Sequence, residues 1–109
     1  MQDGKALALL GLAAKAGRLS YGMDAALKSI KSGKACLVTA AGDVSQKSRK
    51  EAAFFAEKGS VKFLTLESFD IKTVSDAVGR RCGILTINDS GFADAFLKAY
   101  TEGGNAYDE

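Results

Sequence analysis

Three short apolar runs, Ala35 to Ala40, Val61 to Thr65 and Ile84 to Ile87, alternate along this chain with segments of helical periodicity. Such runs are the length of strands rather than helices, and strands separated by helices need a sheet whose faces those helices cover. Glycine makes the connections, for the 109 residues include 12 glycines and no proline. The alternation therefore predicts an α/β sandwich with helices on both faces of a small sheet.

Along the chain the signals are local. Residues 4 to 16 contain little that breaks a helix, with Leu7, Leu10 and Ala14 on one face and Gly17 at the stop. Arg18 to Tyr21 reads as a short extended stretch. A second helix opens at Gly22 and ends at Gly33, with Met23, Ala26, Leu27 and Ile30 at i, i+3, i+4 and i+7 as its apolar stripe. The continuous run from Ala35 to Ala40 fits a central strand buried on both faces. Ser45, or Ser48 with Glu51 in capping-box spacing, starts a third helix that buries Ala52, Phe55 and Ala56 and ends at Gly59. Ser68 or Asp70 caps a fourth helix ending at Gly79, and Arg80-Arg81-Cys82-Gly83 is a loop. Asp89 or Ser90 caps the last helix, whose inner face is Phe92, Phe96, Ala99 and Tyr100.

The length suits one compact core, so residues 1–103 are expected to form a single domain followed by a flexible tail, 104–109. No apolar run is long enough to cross a bilayer, and the first residues lack the order of a signal peptide, which predicts a cytoplasmic protein without membrane contact. With no histidine, and with Cys36 and Cys82 outside any CxxC pair, neither a metal site nor a disulfide is expected. No glycine cluster leads into Gly-Lys-Ser/Thr, and no nucleophile has a base beside it in any motif. The chain is read as a non-enzyme without cofactor, and as a monomer.

Charge gives the direction of function. Residues 1–62 hold eleven Lys and Arg against five Asp and Glu, a balance of +6, whereas residues 63–109 hold four against eight, a balance of −4. A basic face on an otherwise acidic molecule is a footprint of nucleic-acid binding. The helix opening at Gly22 adds free backbone N–H groups at its start and, beside the apolar stripe, Asp24, Lys28 and Lys31 at i, i+4 and i+7. Amides and lysines hold phosphates, and a short acid accepts from a base amine. A lysine-bearing helix face is also what an ordinary solvated surface looks like.

Longer motifs decide between these. The order Leu9-Leu10-Gly11-Leu12-Ala13-Ala14-Lys15-Ala16-Gly17-Arg18-Leu19, Gly22 with Lys28, Ser32-Gly33-Lys34-Ala35-Cys36-Leu37-Val38, Ala41-Gly42-Asp43-Val44-Ser45 and Asp89-Ser90-Gly91-Phe92-Ala93 resembles the bacterial YlxQ-like branch of the kink-turn-binding ribosomal-protein superfamily. The likeness runs from about Lys5 to about Tyr100. It implies a three-layer α/β/α sandwich around a small mixed four-stranded sheet. It also implies binding to structured RNA of the kink-turn type, ribosomal RNA included, in the setting of translation and ribonucleoprotein particles.

In RNA-binding members the second helix opens with glycine, any residue, asparagine, glutamate, two more residues and lysine. Gly22 and Lys28 match the first and seventh places, while Asp24 and Ala25 replace the asparagine and the glutamate. The family's second RNA-facing element corresponds to the loop at Gly79 to Gly83. The resemblance thus implies RNA contacts at Gly22, Met23, Asp24, Ala25 and Lys28, with Lys31, Lys34, Arg80, Arg81 and Cys82 alongside. A carboxylate at Asp24 accepts but cannot donate, and phosphate repels it. That departure makes a protein-interaction module that has lost specific RNA recognition the competing expectation.

Overall fold

The structure, a computed structural model, describes residues 2–103; the expected tail at 104–109 lies outside the described residues. Nine elements follow in the order α1 (Gln2–Lys15), β1 (Leu19–Tyr21), α2 (Met23–Lys31), β2 (Leu37–Ala41), α3 (Gln46–Lys58), β3 (Lys62–Leu66), α4 (Ile71–Val78), β4 (Ile84–Ile87) and α5 (Ser90–Gly103). The strands make one sheet in the order β1-β4-β2-β3. β4 runs antiparallel to both β1 and β2, whereas β2 and β3 are parallel and joined through α3. A mixed four-stranded sheet with five helices is the expected α/β class.

The layering follows from burial. Successive residues of a strand point to opposite faces, yet every residue of β2 and β4 is buried, so both faces of the sheet centre are covered. α1 packs against α5 and α4, and α2 packs against α3. The edges are blunted: β1 has three residues, and β3 begins with an exposed lysine, Lys62. The sheet centre also holds two buried hydroxyls. Thr39 donates to the Leu85 carbonyl at 2.9 Å, while Thr86 Oγ1 has no partner among the described residues.

Caps are where sequence chemistry dictates. Ser45 Oγ accepts from the Ser48 amide at 3.2 Å, so Ser45 caps α3 and Ser48 is the third helical residue. Asp70 accepts from the Thr73 amide at 2.8 Å and Asp89 from the Phe92 amide at 2.8 Å. Asp43 reaches across to accept from the Ile71 amide at 2.8 Å, tying the turn after β2 to the start of α4.

Helix faces and one strand differ from expectation. α1 buries Ala6, Leu10 and Ala13, not Leu7, Leu10 and Ala14, because small side chains let it lie close to its neighbours. On α2 the fully buried residues are Ala26 and Ser29, and Met23, Leu27 and Ile30 are only half-buried. α3 buries Ala52 and Ala56 but leaves Phe55 half-covered, and α5 buries Ala93, Phe96 and Ala99 with Phe92 and Tyr100 at the margin. β2 spans Leu37–Ala41: the Ala35 amide is still bound to the Ser29 carbonyl at the end of α2.

Candidate nucleic-acid interface

Pairing of β1 with β4 builds the site. Tyr21 lies opposite Leu85, and the Gly22 amide then donates to the Ile84 carbonyl at 2.8 Å. At φ 91° and ψ 172°, Gly22 occupies a backbone region that essentially only glycine adopts. That turn breaks the strand and launches α2 at once. Among the described residues no side chain caps the new helix, so the amides of its first turn, at Met23, Asp24 and Ala25, are left for an external acceptor.

The loop before β4 is brought to the same place. α4 ends on Gly79 in the left-handed conformation, and the amides of Gly79 and Arg80 both donate to the Ser75 carbonyl, at 2.8 and 3.1 Å. Ser75 Oγ accepts from the Cys82 amide at 3.0 Å, so one serine holds both ends of the loop. Arg80 then lays its guanidinium 4.6 Å from the centre of the Tyr21 ring, directly before Gly22. Arg81 is exposed beside it.

Electrostatically this end is simple. Burial, and after it the nearby Cys82, pushes the Tyr21 hydroxyl above its ordinary value, although Arg80 pulls the other way. Burial likewise raises the Cys82 thiol against the pull of Arg80. Both stay neutral at neutral pH, so neither adds negative charge beside Arg80 and Arg81.

A polar hollow lies further along α2. Lys28, Lys34, Ser20, Ser32 and Asn88 line it, about 270 Å³ in volume. Its floor is a relay: the Ser29 hydroxyl donates to Asn88 Oδ1, and Asn88 Nδ2 donates to Ser20 Oγ at 2.8 Å. Two ammoniums face it and no carboxylate lines it. Such a hollow can hold an anion, the lysines supplying charge and the fixed amide and hydroxyls a shaped floor.

Two of the expected residues go elsewhere. Lys31 stands at an apolar groove between α2 and α3, because helical spacing turns residues 27, 30 and 31 away from 25, 28 and 32. Cys82 is 6% exposed, and its side chain belongs to the core. Conversely, Tyr21, Ser20 and Asn88 join the site without having been singled out. Their only signal is tertiary: Asn88 meets Ser20 across 68 positions of sequence. Among the described residues no group of three or more His, Cys, Asp or Glu side chains is arranged to hold a metal ion, and no helix is long and apolar enough to cross a membrane.

Comparison with known proteins agrees with this fold. No protein of curated function matches the sequence. Among solved structures, a protein of unknown function from Bacillus halodurans superposes with a TM-score of 0.84 at 23% identity, over 90% of this chain and 98% of that one. The Giardia lamblia 15.5kD RNA binding protein superposes with a TM-score of 0.74 at 17% identity, over 95% of this chain and 88% of that one. In sequence, residues 4–96 match a family, and this chain belongs to the Ribosomal protein L7Ae/L30e/S12e/Gadd45 family.

Proposed function

We propose that this protein binds structured RNA, of the kink-turn type, through the uncapped start of α2, the Lys28 and Lys34 hollow, and the Arg80-Arg81 loop. The observation that carries the reading is the β1–β4 pairing, with its Gly22 to Ile84 hydrogen bond, which sets two basic segments about fifty residues apart beside one set of open amides. Family membership supports it, as does the likeness in fold to a protein described as RNA-binding. In this reading the role is binding rather than catalysis, the setting is the cytoplasm with ribosomal or other structured RNA as partner, and the chain falls in the bacterial YlxQ-like branch of the family.

Chemistry divides the work between the parts. First-turn amides and the helix dipole favour phosphate at Gly22 to Ala25, and lysines and arginines supply the sequence-independent attraction. Asp24 accepts from a guanine amine, and the Arg80 plane, held over Tyr21, is presented for stacking on an unpaired base. The test is crosslinking in cells followed by sequencing of the attached RNA. Enrichment of folded RNAs, with crosslinks in peptides spanning residues 22–28 and 79–83, is the expected result. Recovery no better than an uncrosslinked control contradicts it.

A second reading, a protein-interaction module that has lost specific RNA recognition, is favoured by one observation. Asp24 is exposed in the first turn of α2, where its charge opposes phosphate.

A further inference from the structure

On the opposite side of α2 from the polar hollow lies a groove of different make. Leu27, Ile30 and Phe55 form its walls, Lys31 and Lys58 stand at its rim, and Gly59 closes one end, around about 320 Å³. Gly59 sets how closely the helices approach, since a Cβ there would collide with Ile30 Cγ2. The three apolar walls are only half-buried. Beside them Phe54 is 57% exposed, its ring centre 5.4 Å from that of Phe55 and edge-on to it, with Lys58 Nζ 5.8 Å from the Phe54 ring centre. A lone exposed phenylalanine is ordinary; one that continues into an apolar groove makes a patch of the kind that marks interaction sites.

Charge selects the occupant. The lining carries two ammoniums and no carboxylate. On the outer turns of α3, Lys47 and Lys50 are set against Glu51 and Glu57, so the neighbourhood adds no net negative charge. We infer that this groove docks an acidic amphipathic segment of a partner protein, with an apolar side chain between Leu27, Ile30 and Phe55 and carboxylates on Lys31 and Lys58. The volume is at the lower end of the range of ligand clefts, about 300 to 1,000 Å³, and suits one or two side chains. RNA is the poorer fit, because the apolar walls offer no hydrogen-bond partner to base edges or ribose hydroxyls. The inference gives Lys31 a role away from the hollow, and it stands whether or not the protein binds RNA.

The test is a titration of the full-length, ¹⁵N-labelled protein with a synthetic helical peptide of leucine and glutamate, leucines at i, i+3, i+4 and i+7. Two companions replace every glutamate by lysine or every leucine by serine. The leucine–glutamate peptide is expected to shift the amide signals of Leu27, Ile30, Phe55 and Gly59, and the companions to shift them little. The exposed pair Lys31→Glu and Lys58→Glu, checked for an unchanged melting temperature, should weaken binding about tenfold or more, whereas Lys62→Glu, a charge reversal away from the groove, should leave it as in wild type. Absent shifts, shifts elsewhere, or equal binding of the lysine peptide overturn the proposal. So do shifts in the groove on adding a structured RNA, or on concentrating the protein alone, which assign it to RNA or to a second copy.

Discussion

Arg80 holds its guanidinium 4.6 Å from the centre of the Tyr21 ring, joining the loop after α4 to the strand that leads into α2. Neither residue is near the other in sequence, and their contact adds to the β1–β4 pairing that sets the two basic segments side by side. An exposed cation–π contact contributes about 0.5 to 1 kcal/mol.

Removing the ring while keeping bulk should therefore free Arg80 without unfolding the protein. Tyr21→Leu is expected to lower RNA affinity a few-fold, roughly the factor that 0.5 to 1 kcal/mol represents. Tyr21→Phe should match wild type, because the ring and not the hydroxyl carries the contact. Fluorescence anisotropy with a labelled kink-turn RNA reads both; a loss in the phenylalanine variant would instead implicate the hydroxyl.

Asp24→Asn probes the departure from the family pattern. The amide removes a charge that phosphate repels and restores a donor, so affinity for a kink-turn should rise by about 1 kcal/mol, some five-fold. Helix stability should fall slightly, since an acid in the first turn complements the macrodipole. If the same assay shows weaker kink-turn binding, the charge of Asp24 strengthens its contact with the base more than it opposes phosphate.

The two buried threonines should respond oppositely to the same change. Thr39→Val deletes a buried hydrogen bond to the Leu85 carbonyl and is expected to cost about 1 kcal/mol. Thr86→Val replaces a buried hydroxyl without a partner and should stabilise by about 1 kcal/mol. Urea denaturation measures both, and equal destabilisation would mean that Thr86 has a partner.

Acid should loosen α4 through its cap. Hydrogen bonding from Thr73 holds the Asp70 carboxyl below its ordinary value. A carboxylate depressed by folding gives stability that is present above its unfolded pKa of about 3.9 and is lost as pH falls through the folded value. Asp70→Asn keeps a capping oxygen but does not titrate. Melting temperature between pH 5 and 2 should accordingly fall more steeply in wild type than in the variant; parallel curves would remove Asp70 from the acid response.

Much of the scaffold is legible in the sequence because its signals are local. Ile84 to Ile87 is a β-branched run bounded by glycine and Asn-Asp, and β4 has those bounds. Each cap is one of two the sequence offers, Ser45 and not Ser48, Asp70 and not Ser68, Asp89 and not Ser90, and Gly79 ends α4 in the left-handed conformation that glycine adopts without strain. What escapes is set by contacts far apart in the chain. The apolar stripe read from periodicity, Met23, Ala26, Leu27 and Ile30, leaves out Ser29, which is buried against Asn88. Lys31 reads as a neighbour of Lys28, but the half-buried Phe55 on α3 decides which groove it borders. Cys82 sits in a basic loop by sequence, and Ser75 folds that loop so the thiol faces the core.

The salt dependence of RNA affinity tests the central claim most directly. Each lost phosphate contact should reduce the slope of log K against log salt by about one. Lys28→Ala and Arg80→Ala, measured with a kink-turn RNA at several salt concentrations, are expected each to weaken binding and flatten that slope. Lys62→Ala, on the edge strand β3 at the far side of the sheet from β1, should match wild type. Slopes that are the same in all four proteins, or wild type that fails to bind at low micromolar concentration, would contradict an RNA face at α2 and the Arg80-Arg81 loop.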